Sequence, residues 1–234
     1  ASDVYKRQVH AHSLAVGDIN GDGRDDVFVG EFNSGFILFQ TESGPLTYFT
    51  DDFMSNLGWN YRDADLPNAT NVLLIDSHLA DFNRDGFDDL LLGWGHGTAY
   101  SRIFYNNQQG NFDQSNSIAL PVSVYGVDNN LHMKTFSSDL DSDGDLDILI
   151  LQSRYDPFYS GTYIQYLEQS EPNVFIDVTS EKLVDPYQFE DTFGERLQWT
   201  NFWELMDIDT DGDDDLVGTS VKDQSPIIFV NDGE

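Results

Sequence analysis

The chain contains no cysteine, which excludes disulfides, thiolate metal sites and cysteine nucleophiles together. Basic residues are scarce as well. Eleven Lys and Arg stand against 42 Asp and Glu, for a formal net charge of −31. That balance argues against nucleic acids and anionic membrane surfaces as partners, and in favour of cations or a saline solvent. No apolar run approaches the ~18 residues of a membrane-spanning helix. The first ten residues lack the apolar segment of a signal peptide, and "ASDVYKRQ" is unlike the remainder of the chain, so residues 1–10 read as an artefact or a disordered leader. Gly-x-Ser-x-Gly, a phosphate-binding glycine loop and His-Glu-x-x-His are all missing, which removes the commonest readable catalytic signatures.

Hydrophobic residues at 39% and aromatics at 14% are too plentiful for a disordered acidic tail, so the chain is expected to fold. The acidity is also patterned. "DINGDGRDD" begins at Asp18, "DFNRDGFDD" at Asp81, "DLDSDGDLD" at Asp139 and "DIDTDGDDD" at Asp207, an irregular repeat of roughly 60 residues. Positions 1, 5 and 9 are always Asp, position 3 is Asp or Asn, and position 6 is Gly. Position 2 is always apolar (Ile19, Phe82, Leu140, Ile208), and so is the residue after position 9 (Val27, Leu90, Ile148, Leu216).

Calcium chemistry accounts for this spacing. The ion takes 6–8 hard oxygen ligands at about 2.3–2.6 Å. The side chains of Asp18, Asn20 and Asp22, of Asp81, Asn83 and Asp85, of Asp139, Asp141 and Asp143, and of Asp207, Asp209 and Asp211 converge if each loop coils around a point. Gly23, Gly86, Gly144 and Gly212 permit the turn, where a Cβ is expected to obstruct it. Position 7 offers its backbone carbonyl (Arg24, Phe87, Asp145, Asp213), and Asp26, Asp89, Asp147 and Asp215 close the shell. Solvated Asp/Gly turns are the bland alternative for any one copy; four matching copies favour the metal. Magnesium fits less well because it demands tight octahedral geometry and keeps its waters. An EF-hand needs Glu at position 12, where this chain has Val29, Leu92, Ile150 and Gly218.

Each loop is flanked by strand signals. "HSLAVGD", "SHLADF", "KTFSSDL" and "WELMDI" lead in, and "VFVG", "LLLG", "ILIL" and "LVGT" lead out, as runs that suit strands buried on both faces. Third strands come next in "GFILFQ", "SRIFYNN", "TYIQYLEQ" and "SPIIFVND", and fourth strands in "LTYFT", "NFDQS" and "NVFIDVT". Four antiparallel strands per repeat describe an all-β β-propeller blade. Blades are expected at about 11–55, 72–120, 131–185 and 197–234, the last incomplete, within one propeller region over 11–234.

These loops, with the hairpins "YNNQQGNF" and "FVNDG" and the stretch "NVFIDVTSEKLV", resemble the FG-GAP/VCBS-repeat β-propellers, and the loops are similar to those of integrin α-subunit propellers. The Phe-Gly and Gly-Ala-Pro segments of the integrin version are not evident, which places the resemblance nearer the bacterial VCBS-like branch. The resemblance implies about four Ca²⁺ ions, one per loop, at the residues named above. It also implies a fragment of about four blades from a larger propeller, of about seven blades in the family, with a four-bladed closure as the alternative, in an exported or cell-surface protein.

Two functions remain open. One is a non-catalytic calcium scaffold for adhesion or for binding an extracellular protein or glycan. The other is the propeller of a secreted carbohydrate-active enzyme such as a polysaccharide lyase, for which 11 basic residues leave little to build an anion-binding groove. His10 and His12 could share a strand face as metal ligands, but a strand edge near a terminus explains them as well. His78, His96 and His132 form no readable motif, and "WGHG" at 94–97 reads as a glycine-rich turn. Trp59, Trp94, Trp199 and Trp203 are expected mainly in blade packing.

Overall fold

The computed structural model describes residues 11–31, 35–42, 44–49, 73–95, 100–156, 160–184, 187–188, 202–219 and 226–233. Residues 1–10 and His96 lie outside them, as do Trp59 and Trp199.

Strands β1 (Ala11–Gly17), β2 (Asp26–Glu31), β3 (Gly35–Thr41) and β4 (Gly44–Phe49) form one antiparallel meander. The second is β5 (Leu73–Ala80), β6 (Asp89–Gly95), β7 (Arg102–Asn106) and β8 (Phe112–Ala119). The third is β9 (Asn130–Ser138), β10 (Asp147–Arg154), β11 (Ser160–Glu171) and β12 (Val174–Asp177). The short helix α1 (Thr179–Lys182) comes after it, and β13 (Tyr187–Gln188) pairs with β11. In the fourth, β14 (Trp203–Met206), β15 (Asp215–Thr219) and β16 (Pro226–Phe229) are described. The second and third meanders touch in the ladder at a single rung, Gly95 opposite Leu131. The chain is thus nearly all β, and a partial β-propeller.

The apolar runs after each loop behave as their composition demands. Every residue of β6 is buried, and β10 is buried as far as Ser153. Alternation sends one set of side chains to each face. Leu90, Leu92 and Trp94 meet Ala15, Ile19, Phe28 and Ile37 of the first blade. Leu91 points the other way and joins Ile103 and Tyr105 against Ile148, Ile150 and Leu167 of the third. Leu149 and Leu151 pack in turn with Trp203 and Leu216 of the fourth. The core is therefore a series of seams between blades, with no centre of its own. At the outer faces of the first and last blades, Leu14 (63% exposed) and Val230 (59%) meet no neighbouring blade among the described residues.

The inner strands carry a polar seam. His78 Nε2 lies 2.8 Å from Ser137 Oγ, joining β5 to β9. Burial lowers the His78 pKa; Asp76 opposes that shift, while His132 and Lys134 add to it.

Leu91→Ala is expected to cost about 2–5 kcal/mol in a denaturant melt, whereas Leu14→Ala should stay within about 0.5 kcal/mol. Because the folded His78 pKa is lowered, the unfolded chain binds its proton first, so the His78 contribution to stability falls as pH drops below about 6.5, opposite in sign to that of carboxylates whose pKa is raised. Unfolding is compared at about pH 7 and about pH 5.5, on either side of that value. His78→Gln should lose less on acidification than the native chain; an equal loss would exclude His78 as the cause.

Candidate metal centres

Each acidic loop is wound by its own side chains before any ion is considered. In the first, Asp18 Oδ1 accepts from the Asp22 N–H (2.9 Å) and Oδ2 from the Gly23 N–H (2.7 Å). Asn20 Oδ1 accepts from Asp22 N–H (3.0 Å), and Asp22 Oδ1 from Arg24 N–H (3.1 Å). The second loop repeats all four bonds with Asp81, Asn83, Asp85, Gly86 and Phe87. The fourth does so with Asp207, Asp209, Asp211, Gly212 and Asp213. The third shows two of them, Asp143 N–H to Asp141 Oδ1 (3.2 Å) and Asp145 N–H to Asp143 Oδ1 (2.8 Å). Position 7 is thus held by its N–H to the position-5 carboxylate in every copy.

The glycine at position 6 is explained differently from the expectation. Gly23, Gly86, Gly144 and Gly212 have φ between +82° and +107°, yet a Cβ at any of them would meet nothing within 4 Å. Backbone conformation, not crowding, selects glycine. Position 4 is also left-handed, with φ from 57° to 72° at Gly21, Arg84, Ser142 and Thr210, a demand that its varied residue types conceal.

The winding gathers oxygen. Asp139, Asp141 and Asp143, and likewise Asp207, Asp209 and Asp211, each bring one carboxylate oxygen to within 4.8 Å of the others. A set of hard oxygen donors of like charge suits calcium in type and spacing. In the first two loops Asn20 and Asn83 replace one carboxylate, and arginines sit close by: Arg24 pairs with Asp22, and Arg84 reaches Asp145 of the third loop.

Position 9 is a separate device. Asp26, Asp89, Asp147 and Asp215 are almost wholly buried. One oxygen of each accepts from the end of its third strand: Gln40 N–H (2.8 Å), Asn106 N–H (2.8 Å), Gln169 N–H (2.9 Å) and Asn231 N–H (2.8 Å). The other oxygen of Asp89, Asp147 and Asp215 accepts from the position-2 N–H of the loop, at Phe82, Leu140 and Ile208. Asp147 and Asp215 lie outside the oxygen trios. Burial pushes the Asp89 carboxyl up to about 7 and Asp147 up to about 6, against the backbone bonds that lower them.

Sequence reasoning misses the strand-end amides, although Gln40, Asn106, Gln169 and Asn231 are all Gln or Asn. Asn106 Nδ2 crosses the seam to donate to Ile19 O (2.7 Å) of the first loop. Asn231 Nδ2 does the same to Leu140 O (2.8 Å) of the third. Position 8 carries a role that its residue types hide. Asp88 sits against Gly17, where a side chain would collide with it, and Asp214 accepts from Ser138 Oγ (2.7 Å). The third loop has Leu146 there instead, packed with Ala80 on the apolar seam.

A family model described as FG-GAP-like repeat matches residues 81–150, and one described as FG-GAP repeat matches residues 10–44. No curated protein matches the sequence. Among solved structures, an Agrocybe aegerita lectin described as recognising non-reducing terminal N-acetylglucosamine is 14% identical with a TM-score of 0.38, covering 96% of this chain and 64% of its own. The V. cholerae biofilm matrix protein Bap1 is 16% identical with a TM-score of 0.41, covering 97% of this chain and 39% of its own. The chain thus spans less than two thirds of either.

Asn106→Ala removes the hook to Ile19 O while sparing the backbone N–H on Asp89. It is expected to cost about 1–3 kcal/mol with and without added calcium alike. A cost confined to calcium-containing buffer would count against a purely structural hook.

Proposed function

The chain belongs to the FG-GAP repeat proteins, and we propose that it is a calcium-stabilised, non-catalytic binding scaffold that works outside the cell. The observation that carries this reading is the repeated coil: three loops wind by the same four hydrogen bonds, the third loop of the chain shares two of them, and two loops gather three carboxylates within 4.8 Å. In the proposed site, oxygens of positions 1, 3 and 5 and the carbonyl of position 7 hold the ion. Position 9 holds the loop to the third strand and adds an oxygen from below.

Charge supports the same reading. Counting positions 1, 3, 5 and 9, the first two loops carry three carboxylates each and the last two carry four. Without a cation these repel, and a net charge of −31 offers no relief. Binding is then coupled to folding, and each site contributes about 2.7 kcal/mol when free calcium is a hundredfold above its dissociation constant. Extracellular modules of this kind bind at about 10⁻⁴–10⁻³ M, a level met outside cells. Hence the proposed location is extracellular or at the cell surface, with a protein or glycan as ligand.

Calcium removal tests the mechanism. EGTA should lower the melting temperature by many degrees, calcium should restore it, and magnesium should restore much less. Asp141→Asn with Asp143→Asn should remove one ion from the calorimetric stoichiometry and leave the other sites intact. A melt indifferent to EGTA would sink the proposal.

A further inference from the structure

At the opposite end of β6 and β10 from the acidic loops, a cleft opens between the second and third blades. Its volume is about 20 Å³, room for one water-sized group, and Trp94, Tyr100, Ser101, Asn130 and Gln152 help to line it. Two buried acceptors of its lining lack a donor, while the Trp94 Nε1–H, which makes no hydrogen bond, belongs to a side chain packed in the seam with the first blade. Asp177, which can only accept, takes a hydrogen bond from Gln165 Nε2 (2.8 Å). That fixes Gln165 Oε1 as the acceptor for Gln152 Nε2 (2.5 Å) and leaves Gln152 Oε1 as the end of the relay. Gln152 is 2% exposed, and its Oε1 has no hydrogen-bond partner; neither has the buried Asn130 Oδ1. A buried acceptor without a donor is costly, so both atoms point to something that donates.

Ser101 supplies a third acceptor. His132 Nε2 lies 2.7 Å from Thr135 Oγ1 and 3.6 Å from Asp76, which places the ring proton on that nitrogen. Nδ1 then accepts from Ser101 Oγ–H (2.7 Å), and the lone pairs of Ser101 Oγ remain for the cleft.

We propose that this cleft binds a primary ammonium group. An ammonium offers three N–H donors and no lone pair, matching Ser101, Asn130 and Gln152. A hydroxyl satisfies one acceptor and turns its own lone pairs toward the others. The Tyr100 ring, 46% exposed, adds an aromatic surface that favours a cation, and the acidic chain raises the local cation concentration. Arg154, opposite Asn130 in the ladder, is drawn over the Tyr125 ring at 5.5 Å. The site goes beyond the calcium reading and does not depend on it.

The test is a titration of the calcium-loaded chain followed by the side-chain amide NMR signals of Asn130 and Gln152. Ethylammonium should shift both saturably, whereas ethanol should not. Asn130→Asp should tighten ethylammonium about tenfold and Gln152→Met should weaken it about tenfold, each compared at a temperature below its own melt so that only folded protein is titrated. Nα-acetyl-lysine amide and glucosamine serve as two further arms, and whichever binds identifies a protein or a glycan source. Equal shifts with ethanol, or none with ethylammonium, would assign the cleft to water and overturn the proposal. So would an Asn130→Asp variant without effect, or failure of both larger amines. Because calcium is held constant and read separately, none of these results bears on the loops.

Discussion

A buried carboxylate at the ninth loop position sets the terms for each blade. It faces two directions at once, taking a backbone N–H from the third strand and, in three blades, one from the loop's second residue. In this way a charged group closes a joint that strand pairing alone leaves loose, because the loop lies beyond the ladder between the first two strands. The same burial raises the proton affinity of Asp89 and Asp147, so the joint is most comfortable when positive charge lies near. In the third and fourth loops an oxygen trio lies in the same loop as that carboxylate.

Much of this was legible in the sequence because it rests on local periodicity. Positions 1, 3, 5, 6 and 9 of the loops are tied by hydrogen bonds spanning two to seven residues, and the doubly apolar β6 and β10 announce neighbours on both faces. What escaped depends on contacts between blades. Asn106 and Ile19 are far apart in the chain, and nothing in either neighbourhood marks their bond. The same holds for Asp214 with Ser138. The stretch "NVFIDVTSEKLV" reads as a plain strand ending, yet it breaks after Asp177 into α1. There Asp177 Oδ1 accepts from the Thr179 N–H and hydroxyl, a local competition with the ladder that Asp and Thr favour.

The molecule also divides its chemistry by strand polarity. Acidic loops stand where the second strands begin, and the neutral acceptor cleft lies near where β6 and β10 end. About five residues of extended chain, roughly 16 Å, separate the two. The proposed ammonium site at one end need not compete with the proposed ion sites at the other, since the largely buried strands β6 and β10 run between them.

The pairing of position 8 with the residue before the preceding blade's loop has an evolutionary corollary. Asp88 lies beside Gly17, Asp214 beside Ser138, and Leu146 shares its seam with Ala80. A change in one member alters the surroundings of the other, so substitutions there should drift as couples. A blade lifted out of such an array carries only half of each lock, which makes the junction, more than the repeat itself, the heritable module.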